Sequence, residues 1–326
     1  MQRARFPPGL SAMADTVPSR AAPPSATDER IGFLLVFLSA LCWSFGGAIA
    51  RFVEIDDSWT IVFWRSFWAA AFLLGYMVWR DGLSGAARLF INMGLPGVAV
   101  ACCFAIASTS FVVALGYTTV ANILLMQAGV PLIAALIAFL LFRERVSGAT
   151  WVAITAVIFG VGVMVSDSLS GNVSPVGDGL ALTIAIAFSC ATVITRRYAH
   201  VRMTPATCLG TVIAAVFAAT QASAFATSGI DAAFLFAFGA LNLGLGLAFF
   251  ASGARMIPAA YAALLGTFET LLGPVWVWLV HDEVPSPRTI LGGAIVFSAL
   301  IVHIGMEFRR MARPQKPGTT GMPQPH

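Results

Sequence analysis

Charged side chains are scarce in this sequence. They make up 10% of its 326 residues, against 58% hydrophobic, and the mean hydropathy is +0.85. A soluble domain of that length cannot bury so much apolar surface and keep a polar exterior, so a soluble globular protein is excluded. Catalytic signatures are absent too. There is no HExxH, no GxSxG, no GxxxxGK followed by Ser or Thr, and no acidic run suited to a metal. The chain is therefore expected not to be an enzyme, to hold no metal or cofactor, and to lack an ATP site. Its five cysteines, Cys42, Cys102, Cys103, Cys190 and Cys208, all lie in apolar runs without ligand spacing and read as small buried hydrophobes. The net charge of +4 sits in short loops and is no nucleic-acid footprint.

What is present is a series of apolar runs, each long enough to cross a bilayer core of about 30 Å at about 1.5 Å per helical residue. The spans are drawn at 31–52, 58–79, 91–114, 119–142, 149–166, 178–197, 204–226, 231–252, 257–280 and 288–308. No signal-peptide pattern precedes them. Residues 1–30 and 309–326, rich in proline and basic residues, read as disordered tails. If both tails are cytoplasmic, sixteen of the nineteen basic residues fall on the cytoplasmic side. Arg51 and Arg288 fall outside, and Arg65 lies within a span. A misplaced span would scramble that bias, which supports both the count and the direction.

The chain carries one design twice. The apolar pair around Arg143-Glu144-Arg145 returns around His281-Asp282-Glu283. Setting Glu144 on Glu283 puts Val130-Pro131 on Glu269-Thr270, Ala121 on Ala260 and Asn122 on Tyr261. In the earlier spans Trp43-Ser44 matches Phe188-Ser189, and Arg51 matches Arg196. The turn-rich segment 167–177 separates two halves, 31–166 and 178–308. Each half has five spans, so the second begins on the opposite face. The expected fold is an all-α integral membrane protein of ten helices in two inverted repeats, a plan of secondary transporters.

The features Ala40-Leu41-Cys42-Trp43-Ser44-Phe45-Gly46-Gly47, the Arg65 region and Ala114-Leu115-Gly116-Tyr117-Thr118-Thr119 fall in a characteristic order. The Glu144 knot, Pro258-Ala259-Ala260, Glu269 and Glu283 complete it. In these the chain resembles the drug/metabolite transporter superfamily, in its ten-helix branch with two EamA-type repeats, over about residues 30–306. Within it the chain looks similar to YddG-type exporters of aromatic and other apolar amino acids. The resemblance implies a membrane carrier for small molecules. The proline that the family pattern puts after Glu269 is Thr270 here, with Pro274 farther on, so the bend of span nine does not carry over.

Two ionisable residues stand inside spans. Arg65 lies seven residues into span two. A charge there costs about 2.5–3.5 kcal/mol on insertion scales. It reads either as a cavity cation for a substrate carboxylate or a carboxylate of span nine, or as a helix-bundling or snorkelling arginine. Glu269, near the middle of span nine, either binds a substrate ammonium or a proton, or is a neutral or Arg65-paired glutamate that locks spans together. The polar residues Ser108, Asn122, Gln127, Asn242 and Tyr261 either line a pathway or join helices. Trp43 and Phe188 are candidate aromatic walls, with Trp64 and Trp68. Gly46, Gly47, Pro96, Pro131, Gly244 and Gly246 mark places of bending or close approach. Gly160 and Gly162 are expected to pack closely, near Gly292-Gly293.

The function read from these residues is export of small amphipathic metabolites, amino acids foremost, across the inner membrane by alternating access. The partners expected are the substrate, the lipid bilayer and no nucleic acid. The sequence carries no signal of oligomeric state. Efflux of drugs or other metabolites is the alternative. Exchange of sugar phosphates would need several basic cavity groups, and only Arg65 is available. An intramembrane enzyme lacks paired catalytic groups, and a receptor lacks an extramembrane domain.

Overall fold

The computed structural model describes residues 26–143, 146–169, 174–198, 201–257 and 259–311. The Glu144-Arg145 pair, both chain ends beyond these bounds and the middle of the linker lie outside the described residues. Among the described residues the secondary structure is entirely helical. Nine runs are long and apolar enough to cross a membrane, and a bent pair makes the tenth.

In chain order, span one is α1 (Ala26–Ser44) and α2 (Gly46–Arg51), and span two lies in α3 (Ser58–Asn92). Span three is α4 (Gly94–Ala114), span four is α5 (Val120–Gln127) with α6 (Val130–Phe142), and span five is α7 (Gly148–Leu169). The second half repeats this with α8 (Pro175–Arg197), α9 (Thr204–Gln221), a composite eighth span, α12 (Ala259–His281) and α13 (Pro287–Met311). Span eight joins α10 (Gly229–Phe236) and α11 (Gly246–Gly253) through a π-helical stretch, Ala237–Leu245.

Helix ends follow local chemistry. Asp57 caps α3 by accepting the Trp59 N–H at 2.9 Å, and Thr119 caps α5 by accepting the Asn122 N–H at 3.2 Å. Span two does not stop at residue 79. The segment drawn as a loop after it is helical to Asn92, with a kink at Gly82, whose φ of 73° suits glycine. Span four breaks at Ala128-Gly129 and turns by 43°. Pro131, just inside α6, keeps the residues before it from continuing the helix. Span nine, without a proline at that place, runs as one helix through Pro274. Pro96 falls in the first turn of α4, where a missing N–H is harmless.

The packing is two-fold symmetric in pattern. α1 packs on α12 and α11, and its counterpart α8 packs on α6 and α4. α3 packs on the π-helical stretch as α9 packs on α4. The pairs α3 with α9, α5 with α12, and α7 with α13 join like with like across the axis. A finer mark of the repeat is Arg143 and Asp282. They occupy matching positions, and both are left-handed with φ of 53°. Five crossings per half then place the two copies in opposite senses.

α7 and α13 meet where Gly160 faces Gly292. A methyl group on Gly160 would stand 2.7 Å from the Gly292 carbonyl oxygen. Gly162 faces open space, and Gly293 lies against Leu125 instead. Gly292→Val should therefore cost about 1–3 kcal/mol of overpacking, read as a lower unfolding temperature in detergent, whereas Gly162→Ala should leave it unchanged.

Asp57 also accepts the Ser223 N–H and hydroxyl, each at 2.8 Å, and so ties span two to the end of span seven. Partial burial pushes its pKa up. Its bonds to Ser223, Trp59 and Thr60 outweigh that and hold it below the usual carboxylate value. The stability it gives is present above the unfolded-state pKa of about 3.9 and is lost as pH falls through the lower folded value. Acid unfolding of Asp57→Asn should accordingly be less steep below about pH 4 than in the parent.

Candidate functional site

The centre of the molecule is built on a broken helix. α1 ends at Ser44 and α2 begins at Gly46, with Phe45 between them. At the break the Cys42 carbonyl accepts the Phe45 N–H at 3.3 Å, a long bond that no water can supplement within a bilayer. Asn242 adds a donor. Its amide donates to the Cys42 carbonyl at 2.6 Å and to the Trp43 carbonyl at 3.3 Å. Asn242 sits in the π-helical stretch of span eight, a geometry that recurs at functional sites. Gly46 lets the amide in, since a methyl group there would stand 3.1 Å from Asn242 Oδ1. Gly246 lies against the indole edge of Trp43, Gly244 against Phe72, and Gly239 against the Arg65 carbonyl. The glycines of span eight thus bring spans one and two onto it.

Arg65 is 6% exposed. It donates to Ser108 Oγ at 2.9 Å, and its guanidinium lies 4.3 Å from the ring centroid of Phe238 and 5.5 Å from that of Phe111. Its Nε–H is buried without a partner. Arg65 makes no ion pair within 4.0 Å of Glu269, although the two charges act on each other through space. Glu269 has no hydrogen-bond partner among the described residues. It shares a face of α12 with Trp276, whose indole donates to Ser44 Oγ at 3.0 Å beside the break. Trp43 and Gln127 each carry a buried N–H with no partner.

The remaining candidates divide. The amide nitrogen of Asn122 is held by Asp178 Oδ1 at 2.5 Å and by Thr118 Oγ1 at 3.0 Å, while its Oδ1 is buried without a partner among the described residues. Tyr261, its counterpart in the second repeat, packs edge-on to Phe33 at 5.1 Å. Phe188 packs against Phe104 and joins spans six and three. Ser189 donates to the Val130 carbonyl near the break in span four. Gly47 lies against Val120. Arg65, Ser108, Trp43, Gly46, Asn242, Gly244 and Gly246 are gathered around spans one, two, three and eight. Asn122, Phe188 and Tyr261 contact other partners.

Sequence reasoning missed Phe111 and Phe238, which nothing but the fold sets beside Arg65. Asp178, which holds the Asn122 amide, was not singled out either, and it is buried. A groove of about 590 Å³ runs between α7 and α13, but Trp151, Val152, Thr155, Ala156, Phe159 and Ile295 make it apolar, and none of the candidate residues lines it.

A ten-span helical membrane protein made of two five-helix repeats, with a broken helix at its centre, has a transporter's architecture. The EamA-like transporter family matches residues 30–166 and again residues 175–305, and the chain belongs to it. The chain is thus a transporter of the drug/metabolite type. One solved chain, described only as "Crystal structure of protein", superposes with a TM-score of 0.61 at 18% identity. The match covers 86% of this chain and 98% of that one. At that identity the fold is what the two share. No curated protein matches the sequence.

Replacing Asn242 by Ala should remove the side-chain donor from both carbonyls at the break and cost about 1–3 kcal/mol. Faster amide hydrogen exchange confined to residues 42–50 would register the loss.

Proposed function

We propose that the protein is a secondary carrier exporting small amphipathic metabolites, amino acids foremost, by alternating access between its two repeats. The observation that carries this reading is a pair of opposite intramembrane charges that do not form an ion pair. Arg65 keeps a buried Nε–H with no acceptor, and Glu269 has no donor. A zwitterion brings one carboxylate and one ammonium, which would satisfy both charges at once. The unpaired N–H groups of Trp43 and Gln127 add donors for the same anionic end. Trp43, Phe111 and Phe238 supply apolar surface for a side chain. The basic-residue bias supports an inner-membrane setting with both termini cytoplasmic. Efflux of aromatic drugs is the second reading, because the ring cluster of Trp64, Phe67 and Trp68 suits any flat apolar solute.

Counterflow of labelled phenylalanine, other amino acids and sugars in proteoliposomes separates the readings. Phenylalanine should exchange and sugars should not. Glu269→Gln should lower exchange at least tenfold with an unchanged unfolding temperature, and Arg65→Lys should raise the KM more than it lowers turnover. Full activity in Glu269→Gln would remove Glu269 from the site.

A further inference from the structure

A second polar cluster gathers at the face that carries Arg51, away from the central site. Arg51 ends α2, the short half of broken span one. Its Nε–H donates to Glu283 Oε2 at 2.8 Å, and its other nitrogens donate to the carbonyls of Leu115 at 2.8 Å and Thr118 at 3.2 Å. The second oxygen of Glu283 accepts the Val120 N–H at 2.7 Å. One ion pair therefore joins the tip of α2, the end of span three, the start of span four and the connection between spans nine and ten. Beside it, His281 Nε2 lies 3.0 Å from the Ala48 carbonyl oxygen, and its ring meets Phe52, which stacks on Phe234 of span eight.

A helix as short as α2, with 6 residues, does not hold itself in place. Its position depends on its neighbours: it packs on α12, where His281 meets the Ala48 carbonyl, and its tip is held by the Arg51–Glu283 pair, while Asn242 holds the adjoining end of α1. The two side chains of the pair are 30% and 17% exposed. Water thus reaches the outer tie, whereas Asn242 is buried. Partly hydrated ion pairs are weaker than dry ones and can be exchanged for water at modest cost. The outer tie is accordingly the one that can part while the break keeps its amide cap.

We propose that Arg51 and Glu283 are the latch of a gate on this face. When the pair parts, α2 swings about Phe45 and opens the route to the polar centre. The inference rests on the carrier reading given above and adds to it the element that moves. Shape supports α2 as that element. It is set off from α1 at Phe45, it meets Asn242 and Val120 through Gly46 and Gly47, and it lies between α12 and the π-helical stretch, while α1 packs on α11 and α12.

Spin labels test the latch without any substrate. They go on Glu54→Cys, just past α2, and Val284→Cys, just past the latch, after the native cysteines are replaced. Both positions are exposed. Pulsed electron resonance on the full chain in lipid nanodiscs should give one dominant short distance in the parent. Glu283→Gln should raise a longer-distance population at least fivefold. Arg51→Lys should do the same, because an ammonium cannot serve the carboxylate and two carbonyls in the guanidinium's fixed fork. It serves as the test if Glu283→Gln does not fold. An unchanged distance distribution in the folded variants overturns the latch. That result would leave the counterflow assay standing, and a carrier that failed the counterflow assay would leave the distance measurement standing.

Discussion

Inside a bilayer a backbone carbonyl that loses its helical donor has no water to turn to, and the centre of this protein is shaped by that constraint. Span one is interrupted at Phe45, and the amide of Asn242 adds a donor to the Cys42 and Trp43 carbonyls beside the interruption. To reach them, span eight is wound as a π-helix from Ala237 to Leu245 and presents glycines to its neighbours. The break, the wide-wound segment and the small residues form one solution. A bend in one helix requires a polar group from another, and that group requires close approach.

The repeat explains why the solution is not uniform. Matching helices make matching contacts across the axis, and Arg143 and Asp282 share the same left-handed turn. Yet the copies differ at matching positions. Span four breaks before Pro131, while span nine carries Glu269 and runs unbroken. Asn122 binds Asp178, while its counterpart Tyr261 packs on Phe33. One position thus joins helices by a polar bond near one face and by an aromatic contact near the other. A duplicated scaffold with unequal contacts at its two ends suits a carrier whose faces open in turn.

The two intramembrane charges show how burial sets chemistry. Arg65 is kept by Ser108 and by the rings of Phe238 and Phe111, which disperse its charge without neutralising it. A carboxylate in direct contact would have closed the site with an internal salt bridge. Among the described residues Glu269 makes no ion pair with Arg65.

Much of this was readable in the linear chain. Hydropathy alone located the ten spans, although the helix of span two continues past its drawn end to Asn92, because every lipid-crossing segment must be apolar over its full length. Offset matching of the halves revealed the duplication, and isolated Arg65 and Glu269 stood out because charge inside a span is rare. What periodicity could not reach was partnership. Phe238 under Arg65, Asp178 on Asn122 and Glu283 on Arg51 join residues 173, 56 and 232 positions apart. The π-helical winding likewise leaves no mark in hydropathy. Composition decides whether a helix enters the membrane, since that depends on transfer of each side chain from water. Which polar groups meet depends on how helices already in lipid pack together, and only the tertiary structure decided it.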